Sequence, residues 1–145
     1  MKGKKTDMKK ILVVAAHPDD EILGVGATVA KHAAQGDEVY ALILGEGQTS
    51  RGEHREDISA DVVKELHQNT LESAEKVGYK EVYFADFPDN RFDQVDLLDV
   101  VKAVEHKIKE IQPEIIYTHY SGDLNIDHQY TARAVLTATR PIAVS

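Results

Sequence analysis

The polar leader gives way at Ile11 to Ala16 (ILVVAA) to an unbroken apolar run rich in β-branched residues. Such a run predicts a strand buried on both faces, because a half-buried strand would alternate apolar with polar. From Asp20 the spacing changes. Ile22, Val25, Val29 and Ala33 recur at helical intervals, with Asp20 and Glu21 in the first turn and Gly36 after the last. Acids suit the positive end of a helix dipole and glycine suits its exit, so one helix is expected from Asp20 to just before Gly36. The alternation then repeats. Val39 to Leu44 predicts a second strand, and a polar stretch from Gly45 to about Asp57 leads to a long helix ending at Gly78, with Val63, Leu66, Thr70, Ala74 and Val77 as its buried stripe. Glu81 to Ala85 (EVYFA) predicts a third strand, followed by the turn-rich loop DFPDNRFD. Leu97, Val101, Val104, Ile108 and Ile111 mark a third helix that Pro113 closes, and Ile115 to Thr118 a fourth strand. After the loop His119 to Ile126, Asp127 onward reads as another helix start.

A βαβα alternation predicts an α/β fold: a Rossmann-like, mainly parallel sheet flanked by helices on both faces. Residues 1–145 carry no internal repeat and read as a single domain. Ligands of such sheets bind at the carboxyl ends of the strands, which directs attention to the loops beginning at His17, Gly45, Asp86 and His119. The closing segment TRPIAVS follows a helix without a further strand, so the expectation is the N-terminal portion of a longer fold. A sheet edge left bare invites pairing, which makes self-association an alternative to a monomer.

Composition narrows the chemistry. Across 145 residues, 17 Lys and Arg stand against 25 Asp and Glu, a net charge of −8. That balance offers no basic face for phosphates and excludes a nucleic-acid module. With no cysteine, thiol nucleophiles, disulfides and thiolate metal sites are excluded, and a transition metal would have to be held by imidazole and carboxylate. The 7 histidines become the residues to place. No apolar run approaches the roughly 20 residues of a membrane span, and MKGKKTDMKK lacks the apolar core of a signal peptide, so a cytoplasmic protein is expected.

His17-Pro18-Asp19-Asp20-Glu21 follows the first strand directly. Three acids at a helix start are explained by capping and the dipole, but a histidine at the strand edge is not. His17 and Asp20, separated by a tight turn, can converge on one ion while Asp19 projects beside it toward a water. The second cluster, Thr118 to His128 (THYSGDLNIDH), follows another strand and reaches the same rim. His128 alone would read as a solvated or capping histidine. Joined to His17 and Asp20 it completes a two-histidine, one-carboxylate set with a position open for water, the pattern of catalytic rather than structural zinc. Asp127 is placed to orient an imidazole from behind.

AHPDDE at Ala16 to Glu21, NIDH at Asn125 to His128, the order of strands and loops between them and, more weakly, PDN at Pro88 to Asn90 resemble the PIG-L/LmbE-like zinc-dependent deacetylases, over nearly the whole chain. The resemblance implies removal of acetyl groups from N-acetylglucosamine-type amino sugars or their conjugates. It also implies zinc held by His17, Asp20 and His128, with Asp19 as general base. Several members of that family carry a histidine three residues before the last ligand, where this chain has Asn125, whose amide donates but cannot shuttle a proton. His119, in the same loop, is the candidate catalytic substitute, with a packing role as the alternative. An arginine for substrate contact is often found early in the second helix of the family, where this chain offers His67. Arg51 in GEGQTSRG is the other candidate, and a solvated loop charge its plainer reading. Asp86 and Asp89 at the third strand's exit either bind a sugar hydroxyl or form turns. His32, His54 and His106 are expected on solvated surfaces.

Two other function classes compete. A phosphoacceptor signalling domain also places an acidic pair after its first strand and an acid after its third, as Asp19, Asp20 and Asp86 do, but it binds magnesium, which prefers oxygen to the imidazoles found here. A nucleotide-binding module would need a glycine-rich turn where HPDDE puts carboxylates.

Overall fold

The structure, a computed structural model, describes residues 7–47 and 59–141. Four strands form one sheet: β1 (Lys10–Ala15), β2 (Glu38–Gly45), β3 (Glu81–Phe87) and β4 (Ile115–Tyr117). Their order is β3-β2-β1-β4 and each neighbouring pair is parallel. Ile11 sits between Val39 on one side and Ile115 on the other. Among the described residues, five α-helices connect and flank the strands: α1 (Asp20–Leu23), α2 (Gly26–Ala34), α3 (Ala60–Val77), α4 (Leu97–Ile111) and α5 (Ile126–Ala138).

The strands read as continuous apolar runs because both faces are covered. Leu12, Val14, Tyr40, Leu42 and Leu44 pack with Val100, Val101, Val104, Ala134, Val135 and Ala138 of α4 and α5. Ile11, Val13, Val39 and Ala41 face the other way, toward Val29 of α2, Ala74 of α3 and Tyr79. Burying each such aliphatic side chain contributes roughly 1.5–3 kcal/mol, which makes β1 and β2 the stiff base on which the carboxyl-end loops stand.

The chain adds β2 and β3 to one side of β1 and then returns to place β4 on the other side. That reversal opens a crevice beyond the carboxyl ends of β1 and β4, where an open α/β sheet receives its ligand. At the end of β2, Gly45 lets the neighbouring chain close in. A Cβ there would lie 2.6 Å from the carbonyl oxygen of Ala16 and 3.2 Å from the Phe92 ring.

The periodicity beginning at Asp20 predicted one helix, and the structure has two. The helix stops at Leu23 and restarts at Gly26, with Val25 at φ −135 between them. Gly24 is why the turn can tighten, since a Cβ there would meet the Asp20 carbonyl at 2.9 Å. The long helix ends where expected, with Gly78 in the left-handed region at φ 118 and its N–H donating to the Ala74 carbonyl. No helix among the described residues is long and apolar enough to cross a membrane.

Candidate metal centre

The turn after β1 holds an unusual backbone. Asp19 adopts φ 87, a left-handed conformation that costs a non-glycine residue about 1–3 kcal/mol and is held by its surroundings. Its carbonyl accepts the N–H groups of Ile22 and Leu23, at 3.0 and 2.8 Å, which starts α1. Asp20 folds back, so that its Oδ2 accepts the His17 N–H at 3.0 Å. His17 and Asp20 are therefore fixed on one side of the turn, while Asp19 is exposed beside them.

The loop after β4 brings the partner. Asn125 caps α5, its side-chain oxygen accepting the His128 N–H at 3.2 Å, and this places His128 in the first turn. His128 Nε2 lies 3.1 Å from Asp20 Oδ2, and His17 Nδ1 lies 3.4 Å from the same oxygen. Donor atoms of His17, Asp20 and His128 all fall within 4.8 Å of one another. Two imidazoles and one carboxylate, half-buried at the crevice mouth, suit a borderline-soft divalent ion that accepts nitrogen and oxygen donors and leaves a position open. They do not suit magnesium, which takes oxygen and water.

Behind His17 stands Asp127, fully buried in the first turn of α5. Its Oδ2 accepts the His17 Nε2–H at 2.7 Å and the Asn90 N–H at 2.6 Å, and its Oδ1 accepts the Phe92 N–H at 3.0 Å. Asp89, also buried, lies with its Oδ1 3.3 Å from His17 Nε2. Burial by itself would drive the His17 imidazole toward neutrality. The hydrogen bonds to Asp127 and Asp20 and the charges of Asp89 and Asp127 outweigh it and raise the pKa to about 9. Burial pushes Asp20 upward, but its bond to His17 and the facing His128 and His119 hold it below the usual carboxylate range.

His119 completes the wall. Its ring stacks on that of His128, with centroids 3.9 Å apart and planes 15° from parallel. Its Nε2 accepts the Ala16 N–H at 2.9 Å, so that nitrogen carries a lone pair and the proton sits on Nδ1. Burial, reinforced by the charge of His128, lowers its pKa to about 4. A neutral imidazole whose Nε2 is committed to the backbone anchors β4 to β1 and has only Nδ1–H to offer a substrate.

A cavity of about 330 Å³ opens against this group, its lining including Asp20, His119, Asp123 and His128 together with Leu23, Val25 and Tyr117. Beneath the turn, Glu21 is fully buried, and neither of its carboxyl oxygens has a hydrogen-bond partner among the described residues. Burial raises its pKa to about 7, with the charges of Asp19 and Asp20 acting in the same direction.

The remaining sequence candidates fall in distinct places. His67 stacks on Phe84 at 3.9 Å and pairs with Asp86 at 3.0 Å, without contact to the three donors. Arg51 and His54 lie outside the described residues. His106 is exposed as expected, at 78%. His32 is not on a solvated face: it bridges Asp37 Oδ2 at 2.8 Å and the Tyr117 hydroxyl at 2.9 Å, a partner 85 residues away that helical spacing cannot reveal. Asp123 was missed, because an acid in a Ser-Gly-Asp-Leu-Asn loop reads as a turn former; its Oδ2 lies 2.9 Å from His128 Nδ1.

Known proteins resemble this chain in sequence and in fold. The uncharacterized deacetylase YaiS of Escherichia coli K12 is 30% identical over 139 residues, covering 92% of this chain and 70% of that protein. Diacetylchitobiose deacetylase of Thermococcus kodakarensis is 32% identical over 114 residues, covering 76% of this chain and 40% of the relative. Among solved structures, GalB of Pseudomonas putida KT2440, a 4-carboxy-2-hydroxymuconate hydratase, superposes with a TM-score of 0.75 at 26% identity, covering 90% of this chain and 55% of that one. The chain thus spans about half the length of the latter two. Residues 12–139 match the family described as PIG-L, GlcNAc-PI de-N-acetylase, and this span runs from β1 through the last turn of α5 and includes every donor at the crevice; the chain belongs to that family.

Proposed function

We propose that this protein is a zinc-dependent hydrolase that removes the acetyl group from an N-acetylated amino sugar or its conjugate. The observation that carries the reading is the convergence of His17, Asp20 and His128 at the sheet's switch point, with Asp19 exposed alongside. The deacetylase relatives support it. His17 and His128 would bind zinc as neutral imidazoles and Asp20 as a carboxylate. When bound, the ion supplies Lewis acidity, lowering the pKa of a water and polarising an amide carbonyl.

Asp19 is the general base of this reading. Its carboxylate takes a proton from the attacking water and returns it to the amide nitrogen, so that one water and one amide become one acetate and one amine. Asp127, accepting from the His17 Nε2–H, would leave Nδ1 as the nitrogen of His17 that holds the metal. His119 contributes Nδ1–H at the cavity wall rather than a shuttled proton. Of the residues expected to touch substrate, Asp89 is buried behind His17, Asn125 is committed to capping α5, and Arg51 and His67 remain the two candidates for a sugar hydroxyl or its conjugate.

The test is acetate release by zinc-reconstituted protein from N-acetylglucosamine and from O-linked and lipid-linked conjugates of it. The expected result is acetate and free amine in equal amounts, abolished by chelation. Because a hydratase shares this scaffold, an unsaturated carboxylic acid belongs in the same panel. Loss of its double bond without acetate from any amide would overturn the deacetylase reading.

A further inference from the structure

A histidine that binds a metal through one ring nitrogen carries a proton on the other, and that proton needs an acceptor to fix the tautomer and the ring's direction. For His17 the acceptor is Asp127, at 2.7 Å. His128 presents Nε2 to Asp20 at 3.1 Å, which leaves Nδ1 as its second nitrogen. Nδ1 is met by Asp123 Oδ2 at 2.9 Å. The other oxygen of Asp123 accepts the Asn125 N–H at 2.9 Å, and the Gln129 side-chain amide donates to the Asp123 carbonyl. The carboxylate is therefore aimed by its own loop and by the start of α5.

We propose that Asp123 is a positioning residue that holds His128 in its Nδ1–H tautomer and so presents Nε2 to the metal. Two further contacts fix the plane of the ring and leave Asp123 to choose between its two nitrogens: the stacked His119 covers one face, and the Asn125 cap fixes the backbone from which the ring projects. The centre then has two imidazole ligands, each backed by its own carboxylate, and Asp123 serves His128 as Asp127 serves His17. The inference rests on the reading that His17, Asp20 and His128 hold the metal. A rival role exists on the same geometry, because donor atoms of His119, Asp123 and His128 also lie within 4.8 Å of one another. Asp123 would then be a ligand of a second ion. That arrangement requires His128 to use both ring nitrogens on metals and His119 to bind through Nδ1, which would move its proton onto the Nε2 that accepts the Ala16 N–H.

The experiment measures zinc affinity of the full chain by chelator competition, alongside ¹⁵N NMR of the imidazoles. An Asn at this position keeps one acceptor oxygen for the two N–H groups, of His128 and of Asn125, that the carboxylate serves, and turns an N–H toward the other. Asp123→Asn is expected to weaken zinc binding about 10- to 100-fold and to remove the exchange-protected Nδ1 proton of His128, and Asp123→Glu to recover part of both. Asp99→Asn, on α4, should change neither. Wild-type affinity with the His128 Nδ1 proton still protected in Asp123→Asn would overturn the proposal. So would a second zinc bound by the wild type and lost in Asp123→Asn at unchanged first-site affinity. If His128→Ala also keeps wild-type affinity, the three-donor centre itself is wrong; if His128→Ala loses zinc while Asp123→Asn does not, only the role of Asp123 fails.

Discussion

The two halves of the centre use the same pair of groups, an imidazole and a carboxylate, in opposite settings. Asp127 is fully buried and bound by two backbone N–H groups of the loop after β3, so the His17 half is built into the core. Asp123 is 38% exposed at its side chain and, among the described residues, is held by neighbours within its loop and α5. One dyad depends on a non-local assembly of three carboxyl-end loops, the other on a local turn. The difference teaches where each half can fail: substitutions behind His17 should damage folding and metal binding together, whereas substitutions behind His128 should damage metal binding alone.

The largest effect is expected at Asp127. Asp127→Ala removes the acceptor shared by His17, Asn90 and Phe92, and breaking a buried charged pair of this kind costs about 3–5 kcal/mol. Denaturant unfolding should show that loss, and zinc should be lost as well. Stability within about 1 kcal/mol of wild type would erase the contrast between the halves.

Next is Glu21, beneath the same turn. Its pKa is raised to about 7 from an ordinary 4.5, so the folded state favours the protonated form. The associated stability is complete below pH 4.5 and is lost as pH rises through 7, about 3 kcal/mol in all. Glu21→Gln should therefore be more stable than wild type at pH 8, with the gap closing by pH 4. Unfolding in chelator across that range is the measurement, and a pH-independent gap would mean that the turn is wetter than its burial implies.

A third effect concerns proton competition. With its pKa near 9, His17 holds a proton at neutral pH that a metal ion binding there would have to displace. Zinc affinity should rise about tenfold per pH unit and level off above 9, since one proton is released per ion bound. Calorimetry in buffers of different ionisation enthalpy counts that proton. The smallest effect is on stability at the exposed half: Asp123→Ala should change unfolding free energy by less than about 1 kcal/mol, as partly exposed loop positions do.

Much of this architecture was legible in the chain because its signals are local. The apolar runs of β1 and β2 report burial on both faces, and a strand followed at once by His-Pro-Asp-Asp places donors at a strand exit. The break at Gly24–Val25 was hidden because Ile22, Val25 and Val29 keep helical spacing across it. His32 and His119 were harder still: their partners, Tyr117 and the Ala16 N–H, lie 85 and 103 residues away, and only the assembled sheet brings them together. Asp123 was invisible for a third reason. Its role depends on which ring nitrogen of His128 faces the crevice, and a sequence carries no record of ring orientation.

The division of labour between the adjacent aspartates is tested most directly by measuring bound zinc and acetate release in Asp19→Asn and Asp20→Asn. Asp20 lies among the donors and Asp19 does not. Asp19→Asn should keep one zinc per chain while turnover falls by about 10²- to 10⁴-fold, the usual contribution of a general base, and Asp20→Asn should lose the metal. Zinc lost from Asp19→Asn and retained by Asp20→Asn, or near-normal acetate release without the Asp19 carboxylate, would contradict the account.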